Sequence, residues 1–298
     1  MTETLVRRIR EELPGLELRE NEPLRDHTSF RIGGPARLLA LPASAGELIA
    51  ISRLLRRLGE KPLILGNGSN VLAPDEGINR AVIVTARAEG CAIRENVMEA
   101  ECGASLTALA AKAAKAGLGG LVFAYGIPGT LGGALVMNAG AYGGEMKDVA
   151  EETRFLDENL EERVFRGEEQ GFGYRRSAFT GSMVLLGARL RLIPGDPDAL
   201  WAECRTLLEK RRASQPLELP SAGSAFKRPE GAYAAALIDG CGLKGFRIGG
   251  AMVSEKHAGF IVNAGNATAE DVRRLLEAVR ERVLKETGYA LEPEIRVL

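Results

Sequence analysis

The stretch GIPGTLGGALVMNAGAYGGE, Gly126 to Glu145, decides how this chain is read. It lies within a longer run, Ala116 to Gly144, of 29 residues without a charge. A run of that length can span a bilayer, and Gly129 to Gly133 has the GxxxG spacing of packed membrane helices. Ten of the 29 residues are glycine, however, and Pro128 and Asn138 interrupt the middle. Each glycine costs a helix about 1 kcal/mol and each proline about 3 kcal/mol, and lipid does not tolerate irregular backbone. The stretch therefore reads as buried, irregular, glycine-rich backbone rather than a span. Its two glycine clusters flank the apolar Ala134–Met137 run, so main chain can approach a large flat ligand from two sides. Tight packing and turns would use the same residues.

Further motifs lie on either side. Leu63 to Leu65 reads as a strand that ends in Gly66-Asn67-Gly68-Ser69-Asn70. Small residues at a strand end expose backbone N–H groups, which suits a diphosphate; an unliganded tight turn needs the same residues. It is no Rossmann fingerprint, because Val71 stands where the third glycine belongs, and no P-loop is present. Arg31-Ile32-Gly33-Gly34-Pro35-Ala36 is a third glycine turn. Tyr174-Arg175-Arg176-Ser177 lies in a glycine-flanked loop, where arginines are either solvated or aimed at a developing oxyanion. Ser221-Ala222-Gly223-Ser224-Ala225-Phe226-Lys227-Arg228-Pro229 sets a hydroxyl among small residues beside a basic pair; Ser224 reads as a cap or as a chemical group. Ser-His-Asp hydrolysis is disfavoured, because no G-x-S-x-G elbow exists and neither His27 nor His257 has the context of a catalytic base. Glu292-Pro293-Glu294-Ile295-Arg296 puts two carboxylates two apart on an expected strand, hence on one face.

Composition sets the outer limits. With 298 residues, 39 basic and 40 acidic side chains, the net charge is -1. Hydrophobics at 45% exclude a disordered chain, and near-neutrality argues against a nucleic-acid binder. The length allows two or three domains. Cys91, Cys102, Cys204 and Cys241 form no CxxC pair, and with two histidines no zinc or haem site is expected. They read as reduced thiols. The charged N-terminal segment lacks the apolar core of a signal peptide, so a cytoplasmic location is expected.

The element pattern is an α+β mixture. Helices are expected over Leu5–Leu13, after Ser44 with Glu47 as a capping box, over Ser105–Lys115, Asp198–Arg212 and Gly231–Gly240, and after Thr268 with Asp271 as reciprocal partner. Strands are expected at Arg37–Leu41, Leu63–Leu65, Ala81–Thr85, Thr153–Asp157, Glu162–Arg166, Met183–Leu192, Phe260–Asn263 and Ala290–Leu298. A hairpin joins Cys91–Arg94 to Val97–Ala100. Ile193-Pro194-Gly195-Asp196-Pro197 reads as the clearest linker.

Six ordered motifs carry a resemblance. HTSFRIGGPA (His27 to Ala36), LGNGSN (Leu65 to Asn70), Gly126 to Glu145, YRRSAF (Tyr174 to Phe179), SAGSAFKRP (Ser221 to Pro229) and EPEIR (Glu292 to Arg296) together resemble the UDP-N-acetylenolpyruvoylglucosamine reductase family. These are oxidoreductases of peptidoglycan precursor synthesis, serving cell-wall biogenesis, cell shape and division. The resemblance implies a vanillyl-alcohol-oxidase-type FAD-binding fold of two α/β subdomains plus a third, α+β, substrate-binding domain. It implies segments 1–78, with 287–298 returning to it, 79–195 and 196–286. The run from Phe179 to Pro194 has no room for the inserted tyrosine loop of the first class, so the chain resembles the second, shorter class.

The resemblance also implies roles. Non-covalent FAD would be held by Arg31, Gly33, Gly34, Gly66, Asn67, Gly68, Ser69, Asn70, Gly126, Ile127, Pro128, Gly129, Thr130, Gly132, Gly133, Asn138, Gly140 and Ala141. Arg175 matches the arginine of the family's YRxS motif, Ser224 the serine of AGSxF, and Glu294 the second acid of the C-terminal motif, where Ile295 replaces valine. These three would be catalytic. Tyr174, Lys227 and Arg228 would meet the substrate, UDP-N-acetylglucosamine enolpyruvate, with Lys244, Arg247, Lys256 and His257 as further candidates for its diphosphate. NADPH would be the hydride donor. No metal, nucleic acid or membrane partner is expected, and the protein would be a monomer or weak oligomer. Two other readings stay open: an oxidase of the same fold, which often binds FAD covalently through a histidine, and a non-catalytic nucleotide-sugar sensor.

Overall fold

The computed structural model describes residues 2–298. The chain forms two compact units. The first takes the chain up to Asn21, Arg37–Asn67 and Arg80–Glu209; the second takes Glu22–Ala36, Gly68–Asn79 and Lys210–Leu298. The 78/79 division falls inside the strand Ile78–Val84. The Ile193–Pro197 turn does not end the first unit. Ile193–Pro194 pairs with Leu118–Gly119, and the helix Pro197–Ser214 follows at once.

One sheet, most of whose residues belong to the first unit, has the order Glu17–Pro23, Pro35–Leu41, Ile78–Val84, Leu63–Leu65. The last two are parallel, with Leu65 opposite Val84. Glu17–Pro23 has no counterpart among the expected strands. It carries Glu17, Arg19, Glu20 and Glu22 and forms the sheet edge, where charge is tolerated because it discourages pairing with other chains. The helix Ala45–Arg57 starts where expected: Ser44 Oγ accepts from Glu47 N at 3.2 Å. Its carboxylate partner reaches one residue further back than a capping box requires, accepting from Ala43 N at 2.8 Å.

A second, antiparallel sheet runs Glu162–Arg166, Ala150–Leu156, Val184–Arg191, Val97–Glu101, Cys91–Arg94. Its apolar face meets Leu48, Ile51 and Leu55 of the Ala45–Arg57 helix, Leu106 and Leu109 of the Leu106–Lys115 helix, and Leu131 and Leu135. Burial of each such side chain contributes about 1.5–3 kcal/mol.

The glycine-rich stretch is not irregular throughout, as expected from its composition. Leu131–Met137 is a helix, capped by Thr130 and closed by Asn138 in the left-handed region. The glycine cost is offset because Leu131 and Leu135 are fully buried. The segment before it is strand-like, with Leu106 N donating to Gly129 O and Leu131 N to Ala104 O at 2.8 Å.

The second unit holds the antiparallel sheet Ser221–Ser224, Phe260–Asn263, Ala251–Val253, Arg247–Ile248. The helix Ala269–Thr287 buries Val272, Leu275, Leu276, Val279 and Val283, an apolar stripe at helical spacing. Its Thr268/Asp271 capping box is present. The tail departs from the expected strand over 290–298. Only Arg296–Val297 is strand, parallel to Val71–Leu72, and Pro293 makes an isolated bridge to Phe226. Proline has no N–H to extend the ladder. Among the described residues no helix is long and apolar enough to cross a membrane, and no cluster of three His, Cys, Asp or Glu could hold a metal.

Candidate functional site

The first unit gathers Gly66, Asn67, the Gly126–Ala141 residues, Tyr174 and Arg175. Thr107 fixes the start of the glycine-rich stretch: its Oγ1 accepts from Gly126 N at 3.1 Å and donates to Ile127 O at 3.3 Å. Pro128 is exposed, whereas Thr130 is buried as the helix cap, accepting from Gly133 N. Gly66 must be glycine because a Cβ there would sit 2.4 Å from Thr130 Oγ1. Gly132 N donates to Cys102 O at 2.7 Å. Gly133 differs. It is exposed, and a Cβ would meet nothing closer than Thr130 Oγ1 at 3.6 Å. The chain itself leaves room there for a side chain that the sequence withholds.

Asn138 is fully buried and its side chain is occupied within the chain. Nδ2 donates to Glu145 Oε2 at 2.8 Å and to Gly173 O at 3.1 Å, and Oδ1 accepts from Lys147 N at 2.9 Å. Gly140 and Ala141 pair with Gly144 and Glu145 in a short antiparallel ribbon. Tyr174 and Arg175 form the tip of a turn closed by an antiparallel bridge between Gly173 and Arg176. Tyr174 is 52% exposed. Arg175 is half-buried at φ +54°, its guanidinium 5.1 Å from the Tyr174 ring and 3.5 Å from Gly140 O.

The second unit gathers Arg31, Gly33, Gly34, Gly68, Ser69, Asn70, Ser224, Lys227, Arg228 and Glu294. Arg31 is exposed at φ +55°. Gly33 O and Gly34 O accept from Arg25 N and Leu24 N, and Gly34 N donates to Pro74 O. A Cβ on Gly34 would lie 2.1 Å from Asp75 O, so main chain meets main chain. Ser29 links two loops: Oγ donates to Ser221 O at 2.6 Å, and its N donates to Gly68 O. Asn70 Nδ2 donates to Glu294 O at 3.2 Å, and Asn70 O accepts from Arg296 N at 3.0 Å. Glu294 N donates to Ala225 O, and Lys227 N to Glu292 O. Ser224 and half-buried Glu294 are thus on neighbouring main chain, with Ser224 exposed at the end of its strand.

The two carboxylates of the tail separate in role, because Glu292 pairs with Lys227. Arg228 stacks over Tyr233, 4.0 Å from the ring centroid. Of the other basic candidates, Lys244 pairs with Asp239 and Lys256 with Glu218. Arg247 Nε points to Met252 Sδ at 3.0 Å. His257 Nδ1 accepts from Gly259 N, and burial holds its imidazole below the ordinary value. His27 is paired with Glu22 at 2.9 Å. The four cysteines are free thiols, and burial pushes that of Cys102 up to about 12. Sequence reasoning missed Thr107, Ser29 and Ser177. Each acts through one hydroxyl on a backbone partner far away in the chain, which leaves no local pattern.

The comparisons with known proteins fit these motifs. A model described as FAD binding domain matches residues 36–162, and one described as UDP-N-acetylenolpyruvoylglucosamine reductase, C-terminal domain, matches residues 215–298. UDP-N-acetylenolpyruvoylglucosamine reductase of Caldicellulosiruptor bescii is 47% identical, covering 95% of this chain and 91% of that one. The reductase of Caldanaerobacter subterraneus is 46% identical over 100% and 99%. The crystal structure of the Thermus caldophilus reductase matches with TM-score 0.80 at 36% identity, over 95% of this chain and 98% of that one. Alkyldihydroxyacetonephosphate synthase shares the fold alone, with TM-score 0.50 at 18% identity over 64% of this chain and 40% of that one. With such identity over nearly its whole length, the chain belongs to the UDP-N-acetylenolpyruvoylglucosamine reductase family and has a vanillyl-alcohol-oxidase-type FAD-binding fold.

Proposed function

We propose that this protein reduces UDP-N-acetylglucosamine enolpyruvate to UDP-N-acetylmuramate with NADPH and FAD, in peptidoglycan precursor synthesis. The observation that carries the reading is the 46–47% identity to reductases of this family over nearly the whole chain, with the FAD binding domain matched over residues 36–162. Exposed Gly133, where a Cβ would have room, fits a group bound from outside. The loops at Gly66–Asn70, Gly126–Gly133, Gly140–Ala141 and Arg31–Gly34 would hold the cofactor by main-chain groups. Held there, FAD would supply the two-electron relay between NADPH and the vinyl group of the substrate.

The remaining chemistry belongs to side chains. Reduction at the vinyl carbon builds negative charge on the substrate's carboxylate as an enolate. Arg175 supplies a cation to that charge, and Glu294, when protonated, supplies a hydrogen bond. Ser224 donates the proton to the adjacent carbon. A serine hydroxyl is a weak acid in water, so nearby positive charge is required, and Lys227 and Arg228 lie three and four residues on. Tyr174, Lys227 and Arg228 meet the nucleotide-sugar. In this reading the segments 1–78 with 287–298, 79–195 and 196–286 serve as two FAD subdomains and a substrate domain. Four free thiols fit a reducing, cytoplasmic compartment, where the protein works as a monomer or weak oligomer.

The test is the visible spectrum of purified protein, then NADPH consumption with and without the enolpyruvyl substrate. A yellow protein whose NADPH oxidation rises with substrate is expected. A yellow protein with no stimulation overturns the reading. A yellow pellet after acid precipitation would mean covalent flavin and favour the oxidase; a colourless protein without turnover would favour the sensor.

A further inference from the structure

We propose that Ser177 and Asn138 are positioning residues for Arg175, clamping both limbs of its hairpin to the C-terminal end of the Leu131–Met137 helix. The inference rests on the reading that Arg175 stabilises the enolate. Gly173 and Arg176 exchange backbone hydrogen bonds of 3.0 and 3.2 Å, which leaves Tyr174 and Arg175 as the two tip residues. Arg175 has a left-handed backbone at φ +54°, which a long side chain rarely adopts. Its surroundings must therefore hold it.

They do so on both sides. On the incoming limb, Asn138 Nδ2 donates to Gly173 O at 3.1 Å. Asn138 cannot swing away, because Glu145 takes its other amide hydrogen and Lys147 N donates to its Oδ1. On the outgoing limb, Ser177 Oγ donates to Val136 O at 2.9 Å and accepts from Phe179 N at 3.3 Å. Val136 and Asn138 lie two residues apart at the end of Leu131–Met137, a helix seated by buried Leu131 and Leu135. Arg175 itself reaches Gly140 O, just beyond that end. The guanidinium is thus placed by a packed helix rather than by its loop. The base of the loop is closed independently by Ala178 N on Gln170 O at 2.9 Å, so removing one hydroxyl does not unfold it.

The experiment compares wild type, S177A, S177T and N138D, each purified with flavin. Anaerobic stopped-flow separates flavin reduction by NADPH from reoxidation by the enolpyruvyl substrate. A displaced catalytic group lowers the rate of its own step. S177A is expected to slow maximal reoxidation about 10-fold, with KM for the substrate unchanged and flavin reduction and spectrum as in wild type. S177T, which keeps the hydroxyl, is expected to recover most of the rate. N138D keeps the acceptor for Lys147 N but loses both donors, and is expected to slow reoxidation about 100-fold. Equal slowing of both half-reactions, a wild-type rate for S177A, or failure of S177T to recover would overturn the clamp. Hydrogen exchange of the protein gives a readout independent of the reaction: S177A is expected to speed exchange at Gly173–Arg176 and not in Leu131–Met137. If wild type is not reoxidised by the substrate, the reaction assignment falls and exchange alone decides; unchanged exchange would then overturn the clamp.

Discussion

Arg175 and the Ser224–Glu294 pair are held in opposite ways. Arg175 stands at a hairpin tip, in a disfavoured backbone conformation, steadied by the side chains of Asn138 and Ser177. Glu294 and the chain beside Ser224 are steadied by main chain: Glu294 N on Ala225 O, Lys227 N on Glu292 O, and the Phe226–Pro293 bridge. A geometry held by side chains can be altered one atom at a time. A geometry held by main chain resists most substitutions and yields to those that force backbones apart. The first suits a group whose position must be finely set, and the second suits groups presented from a sheet.

The largest effect should come from removing a chemical group without touching its support. Ser224→Ala leaves the backbone ladder intact, so thermal stability should stay within about 0.5 kcal/mol. Flavin reoxidation by substrate should fall about 1,000-fold, the scale of general acid catalysis. Normal reoxidation would remove Ser224 from its role. Next, the main-chain clasp can be broken. Gly34→Ala drives a Cβ to 2.1 Å from Asp75 O, and denaturant titration should show a loss of about 3 kcal/mol. Gly133→Ala is its counterpart, since the new methyl has room. Its stability should equal or exceed wild type by up to about 1 kcal/mol, while titration with FAD should show weakened binding. Unweakened binding would remove Gly133 from the cofactor's path.

The smallest effect concerns a support that is part side chain and part main chain. Asp271 accepts from the backbone N–H of Thr268 and Gly250, which holds its carboxyl below the usual carboxylate range. A depressed carboxyl stabilises the fold fully above its unfolded value of about 3.9 and loses that contribution as pH falls through the folded value. The Asp271 contribution should therefore be full and constant between pH 7 and 5. The acid limb of the pH–stability curve should be shallower in Asp271→Asn. Thr268→Ala should lose about 1 kcal/mol at pH 7.

Much of this was legible in the sequence where the signal is local. The caps at Ser44 and Thr268, the stripe from Val272 to Val283 and the hairpin at Glu95-Asn96 each depend on residues within a few positions. The charged edge strand Glu17–Pro23 was illegible because an edge strand needs no apolar alternation. The helix inside the glycine-rich stretch was hidden by its own glycines, although Thr130 and Asn138 mark both its ends. The tail shortened because Pro293 interrupts it. The side-chain hydrogen bonds of Asn70 and Asn138 could not be read, since each amide donates to a carbonyl distant in sequence.

The pairing of Arg296–Val297 with Val71–Leu72 has a consequence for biosynthesis. Asn70 and Glu294, which meet beside it, are 224 residues apart. At the ~5–20 residues per second of a translating ribosome, the Gly68–Asn79 segment is made roughly 10–45 s before its partner. Through that interval the first unit can close its sheets, while Phe30, Ile32 and Leu72 lack the residues beyond 220 with which they form a core. The second unit therefore stays incomplete for longer than the first, and its completion waits on Arg296–Val297, made more than 200 residues after Val71–Leu72.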